Sequence, residues 1–226
     1  MTTKYTPLLK DGAEFKMYAE LYDGMTRIEA CNRIFARFSY TRRLSDEERT
    51  RLIQEGIAIG ERQAKKIQAA YPDQGPLEIA RACGISIHYD SGCQPNTHYV
   101  QFATYHAKKK EIHLNETVIK MLCLITEEHV EKIFIAHELF HYYEMTELGR
   151  IGNQFHIKRL LLGFIPVRQA LLPMGEIAAN VFCKSISGIS FEPLILEKVY
   201  FDNIQGCSKT NRVLEQPHSP IYHQKR

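Results

Sequence analysis

The sequence predicts an α+β fold in which a small antiparallel or mixed sheet packs beside a buried helix. Three observations support this prediction: apolar residues at helical spacing in several segments, alternation of apolar and polar residues mid-chain, and one helical stretch that is apolar on nearly all sides. Of its 226 residues, 44% are apolar and 24% charged, which is typical of a globular protein with a substantial core. The length predicts one domain with an extension.

The first part of the chain predicts helices. Residues 1–44 mix aromatic and charged side chains and show no clean period. Ser45 and Glu48 then form a capping box, in which each side chain can bond the other's backbone N–H. The apolar stripe that follows predicts a helix to about Ala70. We therefore expect residues 1–70 to form an N-terminal helical extension packed on the core.

The middle of the chain predicts extended segments. A short helix is expected from Pro76 to Cys83, followed by a glycine that can end it. Apolar and polar residues alternate over 85–90, which predicts a strand. Two further strands are expected within 99–106 and 111–114. The lysine-rich segment 107–110 between them is interpreted as a solvated hairpin turn rather than a nucleic-acid patch.

Three helices are expected in the second half. Asn115 is placed to cap the first and Thr126 the second, which should run to about Met145. Because residues 133–143 are apolar almost all round, this second helix should be buried at the centre of the fold. A third helix is predicted over 174–188, where a glycine ends it.

Charge and composition exclude several classes of protein. The net charge of +3 and pI of about 8.5 lack the strong bias of an obligate nucleic-acid binder. The longest apolar stretches, such as 160–167, fall well short of the ~20 residues of a membrane span. The start of the chain shows no apolar signal core. We therefore expect a cytoplasmic protein whose six cysteines, none in a C-x-x-C pair, are free thiols.

The predicted central helix contains the motif His137-Glu138-Leu139-Phe140-His141. Histidines at i and i+4 lie on one helical face, so both imidazoles can reach one tetrahedral Zn²⁺. Glu138 is rotated roughly 100° from His137 and is placed to act as a general base toward water at the metal. Two histidines and a glutamate in an apolar helix are costly to bury, and a metal site accounts for them.

A zinc site of this kind needs a third protein ligand. One common pattern continues with Gly and His at the positions that Glu144 and Glu147 occupy here, so that pattern fails. A helix that continues past the motif turns Glu147 away from the metal. We favour Glu176, on the third predicted helix, and keep Glu147 as the alternative. Asn180, one turn after Glu176, is placed to hydrogen-bond a liganding histidine.

The motif and the later segment Glu176-Ile177-Ala178-Ala179-Asn180-Val181-Phe182 together resemble the ImmA/IrrE metallopeptidases. The similarity extends upstream to 77–85, which matches a short helix, glycine and first strand of that family. It also includes 111–115, which matches the strand and Asn before the motif helix. The resemblance therefore covers about residues 75–190.

The resemblance implies a zincin-like, gluzincin-type metallopeptidase domain, which we place at residues 71–205, with a loosely ordered tail at 206–226. The family occurs in bacteria and their mobile elements, and its best-understood members cleave a helix-turn-helix repressor. We therefore expect a zinc metallo-endopeptidase whose partner is a repressor encoded nearby, with no direct nucleic-acid or membrane partner. Phe140 and Cys183 depart from the small residues usual in the family, and Phe140 narrows the space beside the metal helix.

The sequence leaves open whether the chain cleaves its partner and which side chain stabilises the oxyanion. A non-cleaving, zinc-stabilised regulatory or sensor module that binds a repressor would use the same ligands, although it would not need Glu138. An extended substrate is expected along an edge strand within 98–114. The group that steadies the oxyanion of the tetrahedral intermediate is one of several side chains. The candidates are Tyr99, Tyr105, His113, Tyr142 and Tyr143.

Overall fold

Helices form most of the fold in the computed structural model, which describes residues 27–91, 100–126, 129–161 and 164–205. The α-helices are α1 (Arg27–Ala36), α2 (Asp46–Ala70), α3 (Pro76–Ala82), α4 (Glu116–Thr126), α5 (Glu131–Tyr143), α6 (Pro173–Ser187) and α7 (Leu194–Gln205). The strands are β1 (Ser86–Asp90), β2 (Ala103–His106), β3 (Glu111–Asn115), β4 (His156–Leu161) and β5 (Ile165–Ala170). The predicted α+β class is confirmed. No described helix has the length and apolar character needed to cross a membrane.

The larger sheet is small and mixed, as the sequence predicts. Its central strand, β3, runs parallel to β1 and antiparallel to β2, so β1 and β2 are its two edges. Ile112 and Leu114 of β3 are fully buried and direct one face of this sheet toward the core. The second sheet is a hairpin of β4 and β5, which the sequence analysis does not predict.

The buried central helix is confirmed as α5. Its side chains Ile133, Ala136 and Leu139 are at most 1% exposed. Helix α6 packs against it on one side and against α2 on the other. The approach of α2 to α6 is close: a Cβ added to Gly60 would lie 2.5 Å from the backbone oxygen of Ala178. A residue with a side chain does not fit there without movement of one helix.

Helix boundaries follow the predicted capping residues in two cases and not in a third. Ser45 and Glu48 form the predicted capping box of α2, and Asn115 Oδ1 accepts the N–H of Val118 at 3.3 Å in the first turn of α4. The prediction for Thr126 is wrong. Thr126 is the last residue of α4, and its hydroxyl donates to the carbonyl of Leu122 at 2.8 Å. Because the hydroxyl is bonded to the helix before it, it does not cap the helix after it. The next helix, α5, begins at Glu131.

Some predictions lie outside the described residues. These are the loosely ordered tail at 206–226, the residues 1–26 of the N-terminal extension, and Tyr99. Within the described chain, residues 194–205 form a helix, α7, that the sequence analysis does not predict. Helix α5 continues into a π-helical turn, Glu144–Leu148, so the chain stays helical beyond the motif as expected.

Candidate metal centre

Helices α5 and α6 bring His137, His141 and Glu176 together. One ligand atom of each lies within 4.8 Å of the others. Nε2 of His137 is 3.5 Å from Oε2 of Glu176, and Nε2 of His141 is 3.8 Å from Oε1. The two Nε2 atoms are 3.3 Å apart. We call these three side chains the metal trio; all are partly buried.

The metal trio fits a zinc ion in donor type and spacing. Two nitrogen or oxygen ligands at 2.0–2.1 Å in tetrahedral geometry lie about 3.3 Å apart, close to the separations found here. Two imidazoles and one carboxylate form a donor set that zinc uses where three side chains bind it and one position stays open. Glu147, the alternative third ligand, instead forms an ion pair with Lys66 on α2.

The start of α6 places Glu176 opposite the histidines. Pro173 occupies the first turn, where its missing N–H costs no helical hydrogen bond. Glu176 follows in the same turn, where the helix dipole favours a carboxylate. Ala178 and Ala179 are fully buried, and their small side chains let α6 lie close to its neighbours.

Glu144 fixes the orientation of His141. Its Oε2 lies 2.9 Å from Nδ1 of His141, and its Oε1 accepts the backbone N–H of Ile151 at 2.7 Å. A carboxylate on Nδ1 holds the proton there and leaves Nε2 as the free ligand atom. The carboxylate lies over Gly175, where an added Cβ would be 2.9 Å from Oε1. The sequence analysis does not assign this role, although the i, i+3 spacing from His141 is a signal for it.

The site is electrostatically negative at His141. Burial by itself lowers the pKa of His141, but the hydrogen bond to Glu144 and the charges of Glu176, Glu138 and Glu144 outweigh it and raise the pKa to about 9. Surroundings that favour a proton on this imidazole also favour a divalent cation beside it. Metal binding requires the neutral imidazole and therefore releases that proton.

Glu138 lies beside the metal trio without belonging to it. Its Oε2 accepts the backbone N–H of Tyr105 at 2.7 Å. Tyr105 is on the edge strand β2, and this N–H points away from β3. The position agrees with the rotation expected from the motif. One carboxylate oxygen is thereby engaged with the edge strand, and the second can serve another partner.

Asn180 has a different partner from the one expected. Its side-chain Nδ2 donates to the backbone carbonyl of Glu176 at 2.8 Å. Its position one turn after Glu176 agrees with the sequence analysis, but the hydrogen bond expected from it to a histidine of the site is made by Glu144. The Asn180 amide is therefore bonded within its own helix rather than to a histidine of the site.

The candidates for an oxyanion-stabilising group lie in several places. Tyr143 is 3% exposed, and its hydroxyl lies 3.3 Å from Sγ of Cys83. The rings of Tyr105 and Tyr142 pack edge to face at 5.9 Å. His113 lies on the outer face of the three-stranded sheet, opposite the face that carries the buried Ile112 and Leu114.

Comparison with known proteins gives no match to a family model, to a curated protein or to a solved structure. The function therefore has to be inferred from the chemistry of the site itself.

Proposed function

We propose that this chain is a zinc-dependent endopeptidase similar to the ImmA/IrrE metallopeptidases, with a zincin-like domain and the metal trio as its zinc ligands. The observation that supports the proposal most strongly is the position of Glu138. This carboxylate follows His137 directly in the chain but contributes no ligand atom to the metal trio, which leaves it available for proton transfer. A zinc ion held there would polarise a peptide carbonyl and make a water molecule more acidic.

The side chains of the site divide the work. The free oxygen of Glu138 accepts the proton of the attacking water and later returns it to the leaving amine. Glu144 keeps Nδ1 of His141 protonated, so that Nε2 remains directed toward the metal trio. Apart from the Tyr105 N–H, which donates to Glu138, the outer edge of β2 offers backbone groups that can pair with an extended peptide. The substrate is therefore a segment that can adopt a strand conformation.

The substrate we propose is a helix-turn-helix repressor encoded near this chain, as the family resemblance implies. A folded helical repressor cannot pair with a sheet edge along its helices, because their backbone groups are already bonded. Cleavage is therefore expected in a linker or another extended segment of the repressor.

A second candidate function is a zinc-stabilised module that binds a repressor without cutting it. The hydrogen bond between Glu138 and Tyr105 favours this alternative, because it gives the glutamate a structural role that needs no catalysis. The two functions differ in what the carboxylate must do. Tethering β2 needs only an acceptor oxygen, whereas peptide hydrolysis needs a group that takes up a proton.

Two substitutions at one position separate these roles. Glu138→Gln keeps an oxygen that accepts the Tyr105 N–H but cannot act as a general base, and Glu138→Ala removes both properties. Each variant is co-expressed with each helix-turn-helix protein encoded in the neighbouring reading frames. Each candidate repressor is followed by immunoblot beside a reporter of the genes it controls. Glu147→Gln is the matched control, because it removes a carboxylate charge outside the metal trio.

An endopeptidase should give discrete repressor fragments with the native chain and with Glu147→Gln. With Glu138→Gln the cleavage rate should fall by about 10²–10⁴-fold, the usual cost of losing a general base. Derepression by both the native chain and Glu138→Gln, without fragments from either, would instead support the sensor. Undiminished cleavage by Glu138→Gln would exclude the mechanism assigned here.

A further inference from the structure

A second group of histidines and carboxylates lies on the outer face of the three-stranded sheet. Residues that pair across strands share a face, so His88 of β1 lies beside His113 of β3. Glu111 lies two residues before His113 on β3 and therefore on the same face. The opposite face carries Ile112 and Leu114 and is buried. The histidines therefore lie on the polar face of the sheet, away from the core.

The spacing within this group is that of metal ligands. His88, Glu111 and His113 each offer a ligand atom within 4.8 Å of the other two. Nε2 of His113 is 3.1 Å from Oε2 of Glu111, and Nε2 of His88 is 3.9 Å from Oε1. The two imidazoles stack at 5.0 Å between centroids, with their planes 24° apart, so the exposed ring of His88 has to rotate before both Nε2 atoms can face one ion. We call these three residues the sheet-face trio.

Asp90 gives His113 the orientation of a ligand. Its Oδ2 lies 3.0 Å from Nδ1 of His113, so the Nδ1 proton is held by the carboxylate and Nε2 faces Glu111. Histidines that bind metals commonly have a carboxylate at the other ring nitrogen, which fixes the tautomer. Asp90 therefore supplies the outer carboxylate that a metal-binding His113 would need.

We propose that the sheet-face trio binds a divalent transition-metal ion of the zinc type through Nε2 of His88, Nε2 of His113 and the carboxylate of Glu111. Imidazole and carboxylate donors suit Zn²⁺. The site is more open than the metal trio, because the side chain of His88 is 46% exposed. It does not depend on the proposed peptidase activity, since no residue is shared between the two sites.

Lys109 competes with the ion. Its Nζ lies 3.8 Å from Oε2 of Glu111, so in the free protein an ammonium group takes part of the charge that a cation would use. Lys109→Met removes that competitor and should tighten zinc binding. Asp90→Asn leaves the three ligands in place but loosens His113, and should weaken binding by about 10–100-fold.

The test is titration of the chelator-treated full chain with ZnCl₂, followed by calorimetry, with Co²⁺ absorption as a second probe. The native chain should bind two equivalents. His88→Gln and His113→Gln should each abolish the equivalent bound at the sheet-face trio. Loss of a ligand should lower zinc affinity there by more than about 100-fold, because even the loss of a supporting outer group costs up to about that much. His106→Gln is the matched control, because its ring lies 4.7 Å from that of His113 but outside the sheet-face trio.

The outcomes separate the two sites. If the metal trio binds no zinc, the native chain takes up one equivalent, which His113→Gln loses and His141→Ala retains. Equal stoichiometry in the native chain and in a His88→Gln, His113→Gln double variant would overturn the proposal. Equal losses from His106→Gln and His88→Gln would overturn the ligand set. In the unaltered chain, NMR of the imidazole nitrogens should show Zn²⁺ shifting Nε2 of His88 and His113, and unshifted resonances would also overturn it.

Discussion

Glu144 lies one turn after His141 on the same helical face and holds its Nδ1 at 2.9 Å, while its other oxygen accepts the backbone N–H of Ile151. The carboxylate thus links the orientation of one imidazole to the loop that follows α5. A change at Glu144 should therefore affect metal binding although Glu144 is not a member of the metal trio.

Glu144→Gln is expected to lower zinc affinity at the metal trio by about 10–100-fold without abolishing it, because the ligands remain and only the support of His141 is weakened. The measurement is competition with a chromophoric chelator on the His113→Gln background, which isolates this site. Glu147→Gln is the control, since Glu147 pairs with Lys66. Unchanged affinity in Glu144→Gln would show that the hydrogen bond does not orient His141.

Glu176→Gln should lose far more zinc affinity than Glu144→Gln. The substitution keeps the shape of the side chain but removes the anionic donor that faces both histidines. On the same background, elemental analysis should find close to one zinc per native chain and little in Glu176→Gln. The opposite ranking of Glu176→Gln and Glu147→Gln would mean that the third ligand is misassigned.

Substitutions at the two histidines and at Glu138 should have different effects on zinc content in the same elemental analysis. His137→Ala and His141→Ala should each lose most of the zinc bound at the metal trio, whereas Glu138→Gln should retain it, because Glu138 contributes no ligand atom to the trio. Zinc at the native level in His141→Ala would contradict the ligand assignment.

The motif and its helix could be predicted from the sequence because their geometry is local. Periodicity of 3.6 residues places His137 and His141 together whatever the rest of the chain does. The capping box of α2 is likewise set by Ser45 and Glu48 alone. The match between Glu176 and the histidines is tertiary, and the sequence predicts it only indirectly, from the failure of the Gly and His continuation and from the position of Glu176 on a later helix.

Other features depend on contacts that the sequence does not encode locally. The role of Glu144 requires that the chain stay helical past the motif and that Ile151 return to its carboxylate. The β4–β5 hairpin contains Pro166 and several basic residues, which weaken a strand pattern. Thr126 is a residue type that often caps helices, but its hydroxyl donates to the carbonyl of Leu122, one turn earlier in the preceding helix.

The contact between α2 and α6 predicts a difference between two glycines. Gly60→Ala should lower the free energy of unfolding by about 1–3 kcal/mol, because its Cβ would meet the backbone oxygen of Ala178 at 2.5 Å. Gly56→Ala should cost less, since the nearest atom is a side-chain methyl of Ile177 at 2.9 Å. Alanine favours a helix by about 1 kcal/mol over glycine, which partly offsets both. Urea unfolding measures the two values, and a more stable Gly60→Ala would contradict the close approach.

The four described cysteines are free, as expected, and should differ in reactivity. Cys183 is fully buried and donates to the carbonyl of Ile133 at 3.0 Å; burial raises its pKa. Burial also raises the pKa of Cys31, to about 12. Both should resist iodoacetamide in the native protein at pH 8, where a thiol with a raised pKa holds little thiolate.

Cys83 and Cys123 are partly exposed and should be alkylated faster than Cys31 and Cys183. Peptide mass mapping after timed labelling, in native and urea-unfolded protein, measures each site. Cys183 labelled as fast in the native as in the unfolded protein would show that its part of the core opens readily.

The packing of α2 on α6 limits how this protein can be shortened for laboratory use. A fragment that starts after Ala70 keeps every residue of the metal trio but exposes Ile177 and Val181, which α2 covers. It also loses the tie from Gln68 to the carbonyl of Ser185. Such a fragment should be insoluble or aggregate on expression, so the smallest useful fragment must carry α2.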